Sequence, residues 1–149
     1  MSRDEGVRHA GLIALRVAGR WRGALIEGPA GAGKSDLALR ALERGFSLVA
    51  DDRVLLWVCE GALFGRAPDA LMGLLEIRGL QVVPSPALPL AQVALVVRCG
   101  TPERIPGPQA AELLGVAVPC LTLDPREPSA AAKLGRALAG FDVDGKRRI

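Results

Sequence analysis

Gly28-Pro29-Ala30-Gly31-Ala32-Gly33-Lys34-Ser35 decides how the rest of the chain is read. Gly28 and Gly33 flank four free positions and Lys-Ser follows, which is the pattern of a phosphate-binding loop. Ahead of it Ala24-Leu25-Ile26 is an apolar, strand-like approach. Behind it Leu37-Ala38-Leu39 and Ala41-Leu42 repeat with the spacing of one helix face. The context is strand, loop, helix.

Such a loop works through its backbone. Gly28, Gly31 and Gly33 let successive amide N–H groups turn inward with no Cβ in the way, and the helix opening near Lys34 adds its positive dipole end to the same concavity. The whole run Gly28, Pro29, Ala30, Gly31, Ala32, Gly33, Lys34 and Ser35 is therefore expected to cradle a triphosphate. Lys34 would reach the outer phosphates and the Ser35 hydroxyl would hold Mg²⁺.

At 149 residues the chain is expected to form one domain spanning residues 1–149, long enough to bury its own core without disulfides. Half of it is hydrophobic but only 3% is aromatic, so the core must come from Leu, Val, Ile and Ala, and base-stacking platforms for nucleic acid are lacking. The net charge of +3 is dispersed, with part of it in Lys146-Arg147-Arg148, read as a solvated tail. Cys59, Cys99 and Cys120 are odd in number and far apart, which suits reduced thiols better than zinc ligands or a disulfide framework. The start, Met1 to Glu5, lacks the apolar core of a signal peptide, and Ala87 to Val97 is broken by Pro89 and Gln92 and too short to span a bilayer. A soluble cytoplasmic protein with no membrane or nucleic-acid partner is expected.

In chain order, Gly11 to Val17, a turn at Gly19 to Gly23 and the strand before the loop read as a hairpin, with His9 at its entrance. The helix after the loop should run from Lys34 to Arg44 and stop at Gly45. Phe46 to Ala50 follows as a second parallel strand across a βαβ crossover and ends in Asp51-Asp52. In an open α/β sheet that end lies with the phosphate loop, where ligands gather. Adjacent carboxylates on extended backbone point apart, so the two acids should have different tasks. Val54 to Cys59, a turn at Glu60-Gly61 and a returning edge at Ala62 to Gly65 come next, then a helical turn from Pro68 to Leu74. Glu76 and Arg78 would share one face of an extended segment and could address a metal and a phosphate. A buried strand from Ala91 to Cys99, a Pro-rich loop with Arg104, a helix from Gln109 to Leu114, a strand from Val116 to Leu123 and an Ser129-capped helix to Leu138 complete the reading, with a frayed end from Gly140.

Taken together, Gly28 to Ser35, Arg44-Gly45, Leu48-Val49-Ala50-Asp51-Asp52 and Leu75-Glu76-Ile77-Arg78-Gly79-Leu80 resemble the catalytic domain of HPr kinase/phosphorylase, over about His9 to Leu138. The chain is similar to the short proteobacterial forms that lack the N-terminal domain. The resemblance implies an α/β fold, a single P-loop domain with a mixed, largely parallel central sheet flanked by helices, similar to that of phosphoenolpyruvate carboxykinase. It implies an ATP- and Mg²⁺-dependent serine kinase whose substrate is the phosphocarrier HPr, with phosphorolysis of phosphoserine-HPr as the reverse activity and a hexameric homo-oligomer as the assembly. Carried over residue by residue, it makes Lys34 the phosphate clamp, Ser35 and Glu76 metal ligands, and Asp52 the general base supported by Asp51. His9 is placed near the acid pair, Arg78 in the adjoining signature, and Arg104 at a catalytic arginine position. The chain departs from the family at Gln81 and Pro84, where the signature continues with Gly and Asn, and at Asp124 to Pro128, which matches a later basic loop poorly. A P-loop kinase for a small metabolite and a non-catalytic nucleotide sensor stay open as alternatives. Having Lys34, Ser35, Asp52 and Glu76 together favours chemistry over binding alone.

Overall fold

The computed structural model describes residues 5–140, so the expectations of no signal peptide at the start and of a frayed, solvated basic end lie outside the described residues. Strands β1 (Glu5–Arg8), β2 (Ala10–Val17) and β3 (Arg20–Glu27) lead to the loop, and helix α1 (Lys34–Leu42) leaves it. Then come β4 (Ser47–Ala50), β5 (Val54–Cys59), β6 (Ala62–Arg66), a single 3₁₀ turn at Asp69–Leu71, and the two-stranded ribbon β7 (Leu74–Ile77) and β8 (Gln81–Pro84). Strands β9 (Ala91–Cys99), β10 (Gln109–Leu113) and β11 (Val116–Leu123) and helix α2 (Ala130–Gly140) complete the described chain.

Nine strands form one curled sheet in the order β1-β5-β6-β9-β3-β2-β4, with β11 also on β9 and β10 on β11. The sheet is mixed, as expected, but among its described strand pairs only β3 with β9 and β11 with β9 are parallel, apart from an isolated parallel bridge between Leu48 and Ala87. The expectation of a largely parallel sheet is therefore corrected: two-residue hairpins are abundant here, and each makes an antiparallel pair.

Three hairpins turn on the same chemistry. Ala18-Gly19, Glu60-Gly61 and Leu114-Gly115 all have positive φ, at 51 and 77°, 50 and 76°, and 50 and 80°. Positive φ at both central residues matches the right-handed twist of the flanking strands. Gln109 to Leu114, expected as a helix, is instead β10, paired from Gln109↔Cys120 to Leu113↔Val116. Ala62 to Gly65 is not an edge, because β6 also pairs with β9. Helix α1 ends at Leu42, short of the expected Arg44.

The expected crossover from β3 through α1 to β4 exists, but β4 does not pair with β3. It lies antiparallel to β2, which separates the two. Both strands still run in the same direction, so their carboxyl ends meet at one end of the sheet.

Alternation along the strands divides the core. Leu12, Leu25, Val49, Val96, Ala111 and Val118 face a cluster enclosed by the curled sheet itself. Ile13, Ile26, Leu48, Leu95 and Val97 face the other way, toward Leu37, Ala38 and Ala41 of α1 and Ala131, Leu134 and Leu138 of α2. Both helices thus lie on one face, rather than flanking the sheet on two. No described helix is long and apolar enough to cross a membrane.

Candidate active site

The phosphate loop leaves β3 at Glu27 and enters α1 at Lys34. Gly31 and Gly33 have φ of 80 and 103°, values that a side chain would strain. Gly28 is required for another reason: a Cβ there would come within 2.9 Å of the Cys99 Cβ at the end of β9. The Ala32 amide donates to the Pro29 carbonyl at 3.1 Å and the Leu37 amide to the Gly33 carbonyl at 2.9 Å, closing the loop onto the helix. Lys34 Nζ is held by the loop itself, donating to the carbonyls of Gly28 at 2.5 Å and Pro29 at 3.0 Å.

Asp51 links three parts of the site. Its carboxylate is buried and accepts from Ser35 Oγ at 2.8 Å and from the Glu76 amide at 2.9 Å, so the loop, β4 and the β7–β8 ribbon meet on one side chain. Asp52 turns the other way. It has φ of 69° and an exposed side chain, while its carbonyl accepts from the Ala10 amide at 3.1 Å. Asp tolerates this left-handed conformation better than most residues. The side chains of the two acids thus have different surroundings, although Asp52 is left-handed rather than extended as the sequence reading assumed.

A cleft of about 320 Å³ collects these groups: Ala30, Gly31, Gly33, Lys34, Ser35, Asp51, Asp52, Glu76 and Arg78 all line it. Glu76 lies in β7 but Arg78 lies in the following turn, so they do not share one extended face as expected. Both reach the cleft nonetheless. His9 is exposed and lies between β1 and β2, next to the Ala10 amide that holds Asp52, but its side chain is not among the lining groups. Arg104 is not brought to the cleft; it lines a separate groove with Lys133 and Arg136.

Gly11 and Asp36 also line the cleft and escaped the sequence reading. Asp36 follows Ser35 directly in the first turn of α1. Gly11 arrives through strand register, which no local pattern reports.

The oxygen donors of Ser35, Asp51 and Glu76 are hard ligands suited to Mg²⁺ in the company of phosphate oxygens. Their arrangement, one hydroxyl hydrogen-bonded to a buried carboxylate with a second carboxylate exposed in the same cleft, fits that ion. No cluster of three or more His, Cys, Asp or Glu side chains capable of holding a metal by themselves occurs among the described residues. Beneath the loop, burial pushes the Cys99 thiol up, with Lys34 drawing it down and Asp124 pushing it up.

Comparison with known proteins shows similarity in sequence and in fold. Residues 6–87 match the family model described as the HPr Serine kinase C-terminal domain. An HPr kinase/phosphorylase of Clostridium tetani is 47% identical over 66 residues, covering 44% of this chain and 22% of the relative. One from Streptococcus thermophilus is 48% identical over 62 residues, covering 41% and 20%. The matched stretch thus spans about a fifth of the length of these curated relatives. The solved structure of the Hpr(Ser) kinase/phosphatase from Coxiella burnetii superposes with a TM-score of 0.71 at 25% identity, over 88% of this chain and 96% of that one. The family match covers more than half of the sequence and contains the phosphate loop, the acid pair and the Glu76–Arg78 segment: the chain belongs to the HPr Serine kinase C-terminal domain family.

Proposed function

We propose that this protein is an ATP- and Mg²⁺-dependent serine kinase that phosphorylates HPr. The observation that carries the reading is that one cleft is lined by the phosphate loop, the buried Asp51 that accepts from Ser35, and the exposed Asp52. Phosphoryl transfer asks for positioning, charge neutralisation and a base near the nucleophile.

In this reading the loop amides and the α1 N-terminus hold the phosphates, and Lys34 exchanges the Gly28 and Pro29 carbonyls for phosphate oxygens. Ser35 and Glu76 would hold Mg²⁺, which neutralises phosphate charge when bound. Asp51 keeps Ser35 oriented through its 2.8 Å hydrogen bond. Asp52 takes the proton of the acceptor serine as its oxygen attacks the γ-phosphorus and the bond to the β-phosphate oxygen breaks. Arg78 adds positive charge in the cleft, and the Ala10 amide, next to His9 in the chain, holds the Asp52 carbonyl. By microscopic reversibility a protonated Asp52 returns the proton to the leaving serine oxygen as inorganic phosphate attacks the phosphoserine phosphorus, releasing pyrophosphate and the serine hydroxyl. The relatives' names, HPr kinase/phosphorylase, supply the substrate and both directions. The reading includes a cytoplasmic homo-oligomer, hexameric by the same resemblance.

The test is transfer of labelled γ-phosphate from ATP-Mg²⁺ to purified HPr, with Asp52→Asn beside the wild type. Serine labelling that falls by roughly 10²–10⁴-fold in the variant, with ATP binding kept, is the expected outcome for loss of a general base. Unlabelled HPr with intact ATP binding by the wild type would overturn the acceptor assignment, and equal transfer by both proteins would overturn the role of Asp52.

A further inference from the structure

The turn after β11 lies against the phosphate loop, and how it is held is informative. Arg40 is on α1, two turns beyond Lys34. Its guanidinium donates to Asp36 Oδ2 at 3.1 Å, to the Glu127 carbonyl at 3.0 Å and to the Pro125 carbonyl. Those two carbonyls belong to the residues immediately before and after Arg126. The Arg126 amide donates to Asp124 Oδ1 at 3.0 Å, and Glu127 is paired with Lys133 at 2.5 Å. The backbone around Arg126 is thus fixed from several sides. The Arg126 side chain, by contrast, makes one long bond, 3.4 Å, to the carbonyl of Gly31 in the phosphate loop. Pro125 covers the same loop, with ring atoms 3.5 and 3.6 Å from where a Cβ on Gly33 would stand.

A cation with a fixed base and a lightly held tip beside a phosphate cradle is arranged to respond to the outer phosphate. We propose that Arg40 is a positioning residue: by clamping the carbonyls on both sides of Arg126 it sets that guanidinium at the cleft rim, where it exchanges Gly31 for an outer phosphate oxygen. The proposal rests on the nucleotide-binding part of the functional reading and is independent of the acceptor. Arginine suits the clamp because its planar fork carries five donors, enough for three separated oxygens, whereas lysine has a single ammonium.

ATP and ADP dissociation constants with Mg²⁺ would be measured for the wild type, Arg40→Ala, Arg40→Lys, Arg126→Ala and the Arg40→Ala/Arg126→Ala double variant, with thermal melts of each. The expected result is a loss of ATP affinity of about tenfold in Arg126→Ala and in Arg40→Ala, with ADP affinity kept and Arg40→Lys not restoring the wild type. The double variant should be no weaker than Arg126→Ala alone, because the two act as one unit. Equal losses for ATP and ADP, or single losses that multiply in the double variant, would overturn the proposal. So would an unchanged Arg40→Ala. Failure of the wild type to bind either nucleotide would overturn the nucleotide reading itself, whereas an HPr that is not labelled would leave these affinities as they stand.

Discussion

Asp51 and Asp52 are neighbours in the chain with opposite surroundings. Asp51→Ala removes an acceptor from both Ser35 Oγ and the Glu76 amide, and should cost about 1–3 kcal/mol in urea denaturation as well as weakening ATP-Mg²⁺ binding. Asp52→Asn should leave stability near the wild type, because the side chain is exposed. Gly28→Ala is a different kind of lesion, since its Cβ would meet the Cys99 Cβ at 2.9 Å. It should destabilise by about 1–3 kcal/mol, and Cys99→Gly in the same chain should restore part of the loss in a denaturation series. The cysteines also predict a pH dependence. Burial leads the causes that raise the Cys99 and Cys120 thiols, so the folded protein keeps those protons to higher pH than the unfolded chain. Their contribution to stability is whole below the ordinary thiol value of 9.0 and is lost as pH rises through the folded values. Replacing both by alanine should flatten the loss of stability on the alkaline side, read from denaturation midpoints across that range. At this scale Lys34, Ser35, the acid pair, Glu76 and Arg78 were legible because their signals are local in sequence. Gly11 and the Arg40–Arg126 arrangement were not, because register and tertiary contact bring them to the site.

Hairpin turns govern the elements. Ala18 carries φ of 51° at an exposed position, where Asn is better tolerated. Ala18→Asn should therefore stabilise by up to about 1 kcal/mol, visible as a higher denaturation midpoint. The same turn chemistry explains the element that the sequence misrepresented. Gln109-Ala110-Ala111-Glu112-Leu113 is made largely of good helix formers. Pairing with β11 and burial of Ala111 and Leu113 override that preference. Leu114-Gly115 was a hairpin signal of the same form as Glu60-Gly61, which was read correctly. The β4 reading failed only in its neighbour: an apolar strand announces its own existence, but the strand that will slip in beside it is chosen elsewhere in the chain.

Across the molecule, α1 and α2 share one sheet face, and the curl of the sheet encloses the other. Leu134 of α2 is fully buried in the helix-side cluster, so Leu134→Ala should cost about 2–5 kcal/mol in chemical denaturation. The overall class, a mixed α/β domain built around a phosphate loop, was legible because the strand, loop and helix surrounding Gly28 to Ser35 are consecutive. The balance of parallel and antiparallel pairing was not, because it depends on long-range partners. Strand β9 is the clearest example. It lies parallel to β3 and to β11, and Arg98 stands opposite Glu27 on one side and Thr122 on the other. That shared rung is a datum line from which two distances are measured: one residue past Glu27 begins the phosphate loop, and two past Thr122 begins the turn bearing Arg126. A residue inserted within β11 would shift that strand by roughly 3.3 Å and exchange its two faces, whereas one inserted in the exposed loop at 101–108 would leave both measurements intact. Length variation in this protein is therefore tolerable between the gauge marks and disabling along them.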